Sequence, residues 1–84
     1  MGFAKVLWDL DDDPEGNVQH IAEHGIAVSE VEEVLENPEY EEWSRSSGRP
    51  IVFGTPSTGR LIAVVYEKID EDTVYPITAY EVEF

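Results

Sequence analysis

Two histidines and a glutamate in the first third of the chain have the clearest potential for chemistry. They lie in the segment His20-Ile21-Ala22-Glu23-His24, and the spacing H-x-x-E-H occurs in one class of zinc peptidase. Histidines separated by one helical turn lie on one face of a helix, where they can share a metal ion. A peptidase also needs a third ligand and a substrate cleft, so a solvated polar helix face is the simpler interpretation.

A second set of residues could cleave RNA if the fold brought them together. Histidine and tyrosine can transfer protons, and arginine can stabilise the strained phosphate of the transition state. The candidates for this catalytic role are His20, His24, Arg49, Arg60 and Tyr80. Their spacing does not show that they converge, and pairing of the arginines with nearby acids is the simpler interpretation. No His–Asp relay accompanies the serines, so we expect no nucleophile among Ser44, Ser46 and Ser47.

Alternating acids precede the first predicted helix and have the spacing of the first ligands of a calcium loop. These acids are Asp9, Asp11, Asp13 and Glu15. A calcium loop of the EF-hand type needs glycine at its sixth position and a bidentate glutamate at its twelfth, where this chain has Pro14 and His20. We therefore expect these acids to cap the helix and to be solvated, and we predict neither a metal ion nor another cofactor.

The elements that position these residues follow from periodicity. The chain has 84 residues, enough for one domain over 1–84. An apolar stretch over 3–8 predicts a first strand. Asp13-Pro14 is a typical helix start, and Gly25 is a natural stop. Ser29-Glu30-Val31-Glu32 has the form of a capping box for a second helix, which Asn37-Pro38 ends.

The second half of the chain changes to the periodicity of strands. Four strands are predicted, over 40–46, 50–54, 60–68 and 73–82. The most apolar stretch, 61–66, should be central in the sheet, and Pro76 predicts an edge position or a bulge. The nine aromatic side chains should supply much of the buried area. The order β-α-α-β-β-β-β predicts an α+β fold with two short helices packed on one face of a mostly antiparallel sheet.

Acidic residues dominate the charge: nineteen acids against five lysines and arginines give a net charge of −14. Nucleic-acid binding relies on lysine and arginine to displace counterions from phosphates. A negative field of this size repels a polyanion and attracts a basic protein. We therefore expect a protein partner with a basic surface and no nucleic acid.

The chain has no cysteine, which excludes disulfides and thiolate chemistry. No apolar run approaches membrane-spanning length. Acids begin at Asp9, before the N-terminal apolar segment reaches the length of a signal peptide. We therefore expect no membrane attachment and a cytoplasmic location.

Several short motifs together resemble the BrnT toxins of the RelE-like superfamily of bacterial toxin–antitoxin systems. The resemblance covers most of the chain and rests on Trp8-Asp9, on a helix ending His24-Gly25-Ile26, on Ser29-Glu30 and on a short helix stopping at Pro38. The strand 61–66 and the closing Ile77-Thr78-Ala79 are also similar. The resemblance implies the same element order, ribonuclease activity and inhibition by a DNA-binding antitoxin.

Departures from the family pattern remove positive charge or polar contacts. His20 stands where the family commonly has asparagine, and Glu23 where it has lysine. Asp11 to Asp13 occupy a segment that usually carries lysine, and Tyr80 stands in place of an arginine. The basic helix that follows the last strand in the family is not found before Phe84. Phosphoryl-transfer sites depend on fixed cations, so we expect the fold to persist without the chemistry.

The sequence thus leaves three interpretations. The first is a non-catalytic, toxin-like domain that acts through protein–protein interaction with a basic or antitoxin-like partner. The second is an endoribonuclease toxin that uses the five candidate catalytic residues. The third is a small zinc-binding protein that uses His20, Glu23 and His24. The first fits the net charge and the missing cations best, so we expect the protein not to be an enzyme.

Overall fold

The computed structural model describes residues 5–45 and 48–83 and contains two helices and five strands within them. In chain order these are β1 (Lys5–Val6), α1 (Asn17–Glu23), α2 (Val28–Glu36), β2 (Tyr40–Trp43), β3 (Pro50–Gly54), β4 (Ile62–Lys68) and β5 (Thr73–Glu81). This order is the predicted one. Over the same ranges, neither helix is long and apolar enough to cross a membrane.

The five strands form one mixed sheet in the order β1-β5-β4-β3-β2. β1 pairs in parallel with β5, and the other neighbours are antiparallel. The central position of β4 confirms the prediction for 61–66, because a continuous apolar run must be covered on both sides. β1 is shorter than the predicted strand, part of which, with Phe3, lies outside the described residues. The predicted strand over 40–46 ends at Trp43.

Proline 76 lies in β5, whose neighbours in the sheet are β1 and β4, but the pairing with β1 reaches only Val74, so β4 alone lies beside Pro76 among the described strands. The predicted bulge is confirmed. Val65 is opposite Thr78 and Tyr66 is opposite Pro76, which leaves Ile77 as an extra residue on β5. The Ile69 N–H donates to the Thr73 carbonyl, and by alternation the Pro76 nitrogen lies on the side of β5 away from β4, so the ladder between these strands loses no donor to the proline.

Both helices pack on the same face of the sheet. Alternate residues of a strand point to one face, and Val52, Ile62 and Val64 belong to a single core cluster with residues of both helices. The helix side of this cluster is Ile21 of α1 with Val31, Val34 and Leu35 of α2. Each such side chain contributes about 1.5–3 kcal/mol by leaving water, so this face holds the fold together.

Helix α1 begins at Asn17 with Gly16 as its N-cap, three residues after the predicted cap at Asp13. The Asp13 carboxylate instead accepts a hydrogen bond from the Glu15 N–H at 3.0 Å, and its carbonyl accepts from the Gly16 N–H. These contacts form a turn that precedes the helix. The predicted stop is confirmed, because Gly25 adopts a left-handed φ of 77° directly after the helix.

Helix α2 begins at Val28, with Ala27 as its N-cap in place of the predicted Ser29. The Glu30 carboxylate accepts a hydrogen bond from the Ala27 N–H at 3.0 Å, which is the contact expected of the third residue of a helix. The predicted start was therefore two residues late. The predicted end at Asn37 is confirmed.

Candidate functional site

The two histidines of the H-x-x-E-H segment are exposed, His20 within α1 and His24 at its C-cap. Their ring centroids are 5.5 Å apart and the rings meet edge to face. Within residues 5–45 and 48–83, no three His, Asp or Glu side chains are arranged to hold a metal ion. Of the alternating acids, Asp9 is engaged in the fold, since its carboxylate accepts from the Asn17 N–H and from the Tyr75 hydroxyl. These hydrogen bonds, the one from Tyr75 first, lower the pKa of Asp9.

Arg60 connects three parts of the molecule. Its guanidinium donates to both carboxylate oxygens of Glu30 at the start of α2, to Glu81 of β5 and to the carbonyl of Gly25 at the end of α1. The hydrogen bonds from Arg60 lower the pKa of Glu30 to about 2, and the hydroxyl of Thr58 contributes to the shift. Arg60 is therefore neutralised by two acids of its own chain.

The other candidate catalytic residues lie elsewhere. Arg49 precedes β3, whereas Arg60 precedes β4 near Ile62, which pairs with Gly54 at the far end of β3. The two arginines are thus separated by the length of β3, about 17 Å for five extended residues. Tyr80 pairs with Ala63 on the sheet face opposite the helices. The described geometry brings Arg60 next to the end of α1 but does not join it to Arg49, and catalysis by this set stays a prediction.

Strand β2 carries the most exposed aromatic side chain of the sheet. Trp43 is 72% exposed and Tyr40 is 48% exposed, and the two residues between them, Glu41 and Glu42, are exposed as well. Tyr40 stacks on Phe53 of β3 with ring centroids 4.5 Å apart. The expectation that the aromatic residues are buried is therefore wrong for this strand, which lies at one end of the sheet formed by the described residues, with β3 as its neighbour there.

The outer side of β2 presents backbone groups that the sheet does not use. The Ser44 N–H donates to the Arg49 carbonyl at 2.8 Å, so Ser44 directs its N–H towards the strand that follows Arg49. Glu42 lies two residues earlier, opposite Ile51, and therefore also directs its backbone groups towards β3. Along an antiparallel ladder, residues whose N–H and C=O face the neighbouring strand alternate with residues whose N–H and C=O face away from it. The N–H and C=O of Glu41 and Trp43 consequently point away from β3. Among the described residues, no strand lies beyond β2.

A pocket opens beside this edge, on the face that the helices cover elsewhere. Its volume is about 570 Å³. Tyr66 lines the pocket, and its hydroxyl donates to the Glu41 carboxylate at 3.4 Å. Burial raises the pKa of Tyr66, and the charge of Glu41 adds to the rise. Two glutamates, one lysine, two aromatic residues and a proline line the pocket: Glu41, Glu42, Lys68, Trp43, Tyr66 and Pro50.

Comparison with known proteins adds no relative. No protein-family model, no curated protein and no solved structure matches this chain. The relationship to the BrnT toxins therefore stays a prediction that rests on the short motifs of the sequence.

The residues of this edge were not among the candidates taken from the sequence. The segment Tyr40-Glu41-Glu42-Trp43 does carry a usable signal. An inner strand needs one or two apolar faces, and in this segment each face combines one aromatic residue with one glutamate. Such a pattern indicates an edge strand, and the aromatic residues at its ends then indicate a contact surface.

Proposed function

We propose that this chain is a non-catalytic protein-binding domain and that β2 is its binding edge. The observation that carries the proposal is the outer side of β2, where no described strand pairs with the backbone groups of Glu41 and Trp43 beside a 72% exposed tryptophan. An exposed strand edge is a template for pairing with another chain. A large exposed aromatic residue is typical of the centre of a protein–protein interface.

The charge of the chain supports a basic partner. A net charge of −14 directs association towards positive surfaces. The β2 edge is itself negatively charged, because Glu41 and Glu42 lie between its two aromatic residues. Pairing with a second copy would bring these acids against their own counterparts, so repulsion disfavours a homodimer through β2.

The proposal includes a scaffold of the BrnT type that has lost its ribonuclease chemistry. The element order and the helices on one face agree with what the resemblance implies. The neutralisation of Arg60 by Glu30 and Glu81 supports the loss of chemistry, because a guanidinium held by two carboxylates has little charge left for a phosphate. An antitoxin-like protein with a basic segment is the partner that fits both parts of the proposal.

Affinity capture from the native host tests this function with a matched pair of variants. Trp43→Ala removes the exposed ring at the edge, and His24→Ala removes an exposed ring from α1. We expect wild-type protein and His24→Ala to retain the same protein partner and Trp43→Ala to lose at least about 90% of it, since central aromatic residues dominate interfaces.

A ribonuclease assay of the same three proteins tests the alternative function, an endoribonuclease toxin. RNA cleavage by the wild type that His24→Ala abolishes, together with growth arrest on expression in a bacterial host, would favour the endoribonuclease toxin. Retention of every partner by Trp43→Ala would contradict the assignment of β2 as the binding edge.

A further inference from the structure

We infer that the ligand of β2 is an extended, basic peptide segment that joins the sheet as a sixth strand and places a lysine or arginine side chain in the pocket beside Trp43. This inference rests on the proposed function and names the chemistry of the partner. Three features of the edge support it: the spacing of its backbone groups, the composition of the pocket, and the exclusion of other occupants.

The backbone groups are spaced for a strand. Glu41 and Trp43 are two residues apart, and each directs an N–H and a C=O outwards. Residues two apart in a strand are separated by about 7 Å, which is also the repeat of the hydrogen-bonding groups along an incoming strand. A helix bonds its own backbone internally and could not use these groups, so the geometry selects an extended ligand.

The pocket is suited to a long cationic side chain. The side chains of Glu41 and Trp43 point to the same face of β2, because they are two residues apart. The aliphatic part of a lysine or arginine can lie on the indole and on Pro50, while its charged end reaches Glu41. Lys68 also lines the pocket and repels a cation at the β4 side, which directs the charged end of the ligand towards the Glu41 carboxylate.

Three other occupants fit the edge less well. A second copy of the chain would pair acids with acids, and an acidic segment would meet the same repulsion. A purely apolar strand would leave Glu41 and Glu42 beside it without compensation, because charged groups lose water when a strand covers them. Charge complementarity therefore favours the basic segment.

The experiment uses the fluorescence of Trp43. The chain has two tryptophans, and Trp8→Phe leaves Trp43 as the only one. The titrants are synthetic peptides of about ten residues, the length of a long strand. One alternates lysine with valine, a second alternates glutamate with valine, and a third repeats the lysine peptide with an N-methyl group on every amide. The third peptide keeps the charge and has no amide N–H with which to form the ladder.

We expect the lysine peptide to shift the emission of Trp43 and to bind at least about tenfold more tightly than either of the other two. Its affinity should fall as ionic strength rises, since screening weakens charge complementarity. In amide hydrogen exchange, the N–H groups of Glu41 and Trp43 should exchange more slowly in the complex. Equal binding of the N-methylated peptide would overturn the added strand, and equal binding of the glutamate peptide would overturn the basic ligand.

Two substitutions at one position separate backbone pairing from charge. Glu41→Pro removes an outward N–H without breaking a bond to β3, a placement that edge strands tolerate. Glu41→Gln keeps the N–H and removes the charge. We expect the first to weaken the lysine peptide at least about tenfold and the second less than that. Circular dichroism of both variants verifies the fold. If Glu41→Pro is misfolded, the N-methylated peptide alone decides the question.

The peptide experiment and the capture experiment can fail separately. Capture that depends on Trp43 with no binding of any peptide would leave the proposed function in place and overturn the basic strand as its ligand. Peptide binding without a Trp43-dependent partner in the host would support the chemistry of the edge and contradict the proposed function.

Discussion

Arg60 and Glu30 form a two-point ion pair that joins the β3–β4 loop to the first turn of α2. The Nε of Arg60 donates to Oε2 of Glu30 at 3.0 Å, and Nη2 donates to Oε1 at 2.7 Å. The Glu30 side chain is only 5% exposed. A buried carboxylate is tolerated because the guanidinium satisfies both of its oxygens. The same Glu30 caps Ala27, so one side chain organises both the helix start and the loop.

Removal of the cation should therefore destabilise the fold. Arg60→Met leaves the Glu30 carboxylate buried and uncompensated, and we expect the free energy of unfolding at neutral pH to fall by about 3 kcal/mol. Chemical denaturation measures the change. The double variant with Glu30→Met and Arg60→Met removes both charges and should recover at least about half of the loss. No recovery in the double variant would show that packing of the arginine stem, and not the charge, is responsible.

The stability of the protein should depend on pH through Glu30. Its folded pKa of about 2 lies below its ordinary value of 4.5 because Arg60 hydrogen-bonds the charged form. A depressed folded pKa stabilises the protein above about pH 4.5, and the contribution is lost as pH falls towards about 2. We expect the difference in unfolding free energy between the wild type and Glu30→Gln to be constant above about pH 5. The difference should shrink as the pH falls from about 4.5 to about 2. The comparison cancels the titration of the other carboxylates.

The close packing of Gly16 against Asp9 should make this glycine intolerant of a side chain. A Cβ at position 16 would lie 2.6 Å from the Asp9 Cβ and 3.2 Å from the Asp13 Cβ. We expect Gly16→Ala to cost about 2–3 kcal/mol of stability through overpacking. Gly59→Ala is the matched control, because its Cβ meets open space and only its φ of +89° is strained, which costs about 1 kcal/mol. Equal losses in the two variants would contradict the steric explanation.

Tyr75 should ionise only in strong base. The hydrogen bond to Asp9, assisted by burial, raises its pKa to about 12. A phenol whose folded pKa is raised stabilises the fold below its unfolded pKa of about 10, and this contribution is lost as pH rises from about 10 to about 12. The tyrosinate absorbance of the wild type minus that of Tyr75→Phe should show this late titration. Asp9→Asn should move the titration to lower pH.

The exposed indole of Trp43 should contribute little to folding. We expect Trp43→Ala to change the free energy of unfolding by less than about 0.5 kcal/mol. Leu35→Ala, in the core at 1% exposure, should cost about 3 kcal/mol by comparison. A loss in Trp43→Ala as large as that in Leu35→Ala would assign the tryptophan to the core and remove it from the proposed binding edge.

Local patterns were sufficient for most of the elements. The apolar stretches 50–54 and 61–66 have the length of strands, contain β-branched and aromatic residues and flank a turn segment, which favours burial in a sheet. Gly25 and Asn37 end the helices as predicted because helix termination depends on neighbouring residues. The start of α1 is different. The Asn17 side chain donates to the carbonyls of Leu7 and Pro76, and such distant contacts leave no trace in local spacing.

The candidate site was less predictable for the same reason. Arg60 was assigned a phosphate-binding role on its type alone, whereas its partner Glu30 lies thirty residues earlier in the chain. The exposure of Trp43 depends on strand order, which places β2 at the border of the sheet. Strand order results from how the chain crosses from β1 through two helices to the other side, and a residue pattern of four positions does not contain that information.

The opposite border of the sheet limits what an added strand can produce. In the described part of the chain, that border is the two-residue strand β1, which carries Lys5. A short border with a lysine is a poor template for further pairing. Among the described strands, β2 is therefore the favoured flank for an added chain, and a complex built there has a poor template on its other side for further growth. The expected product is a finite one-to-one complex and not a filament.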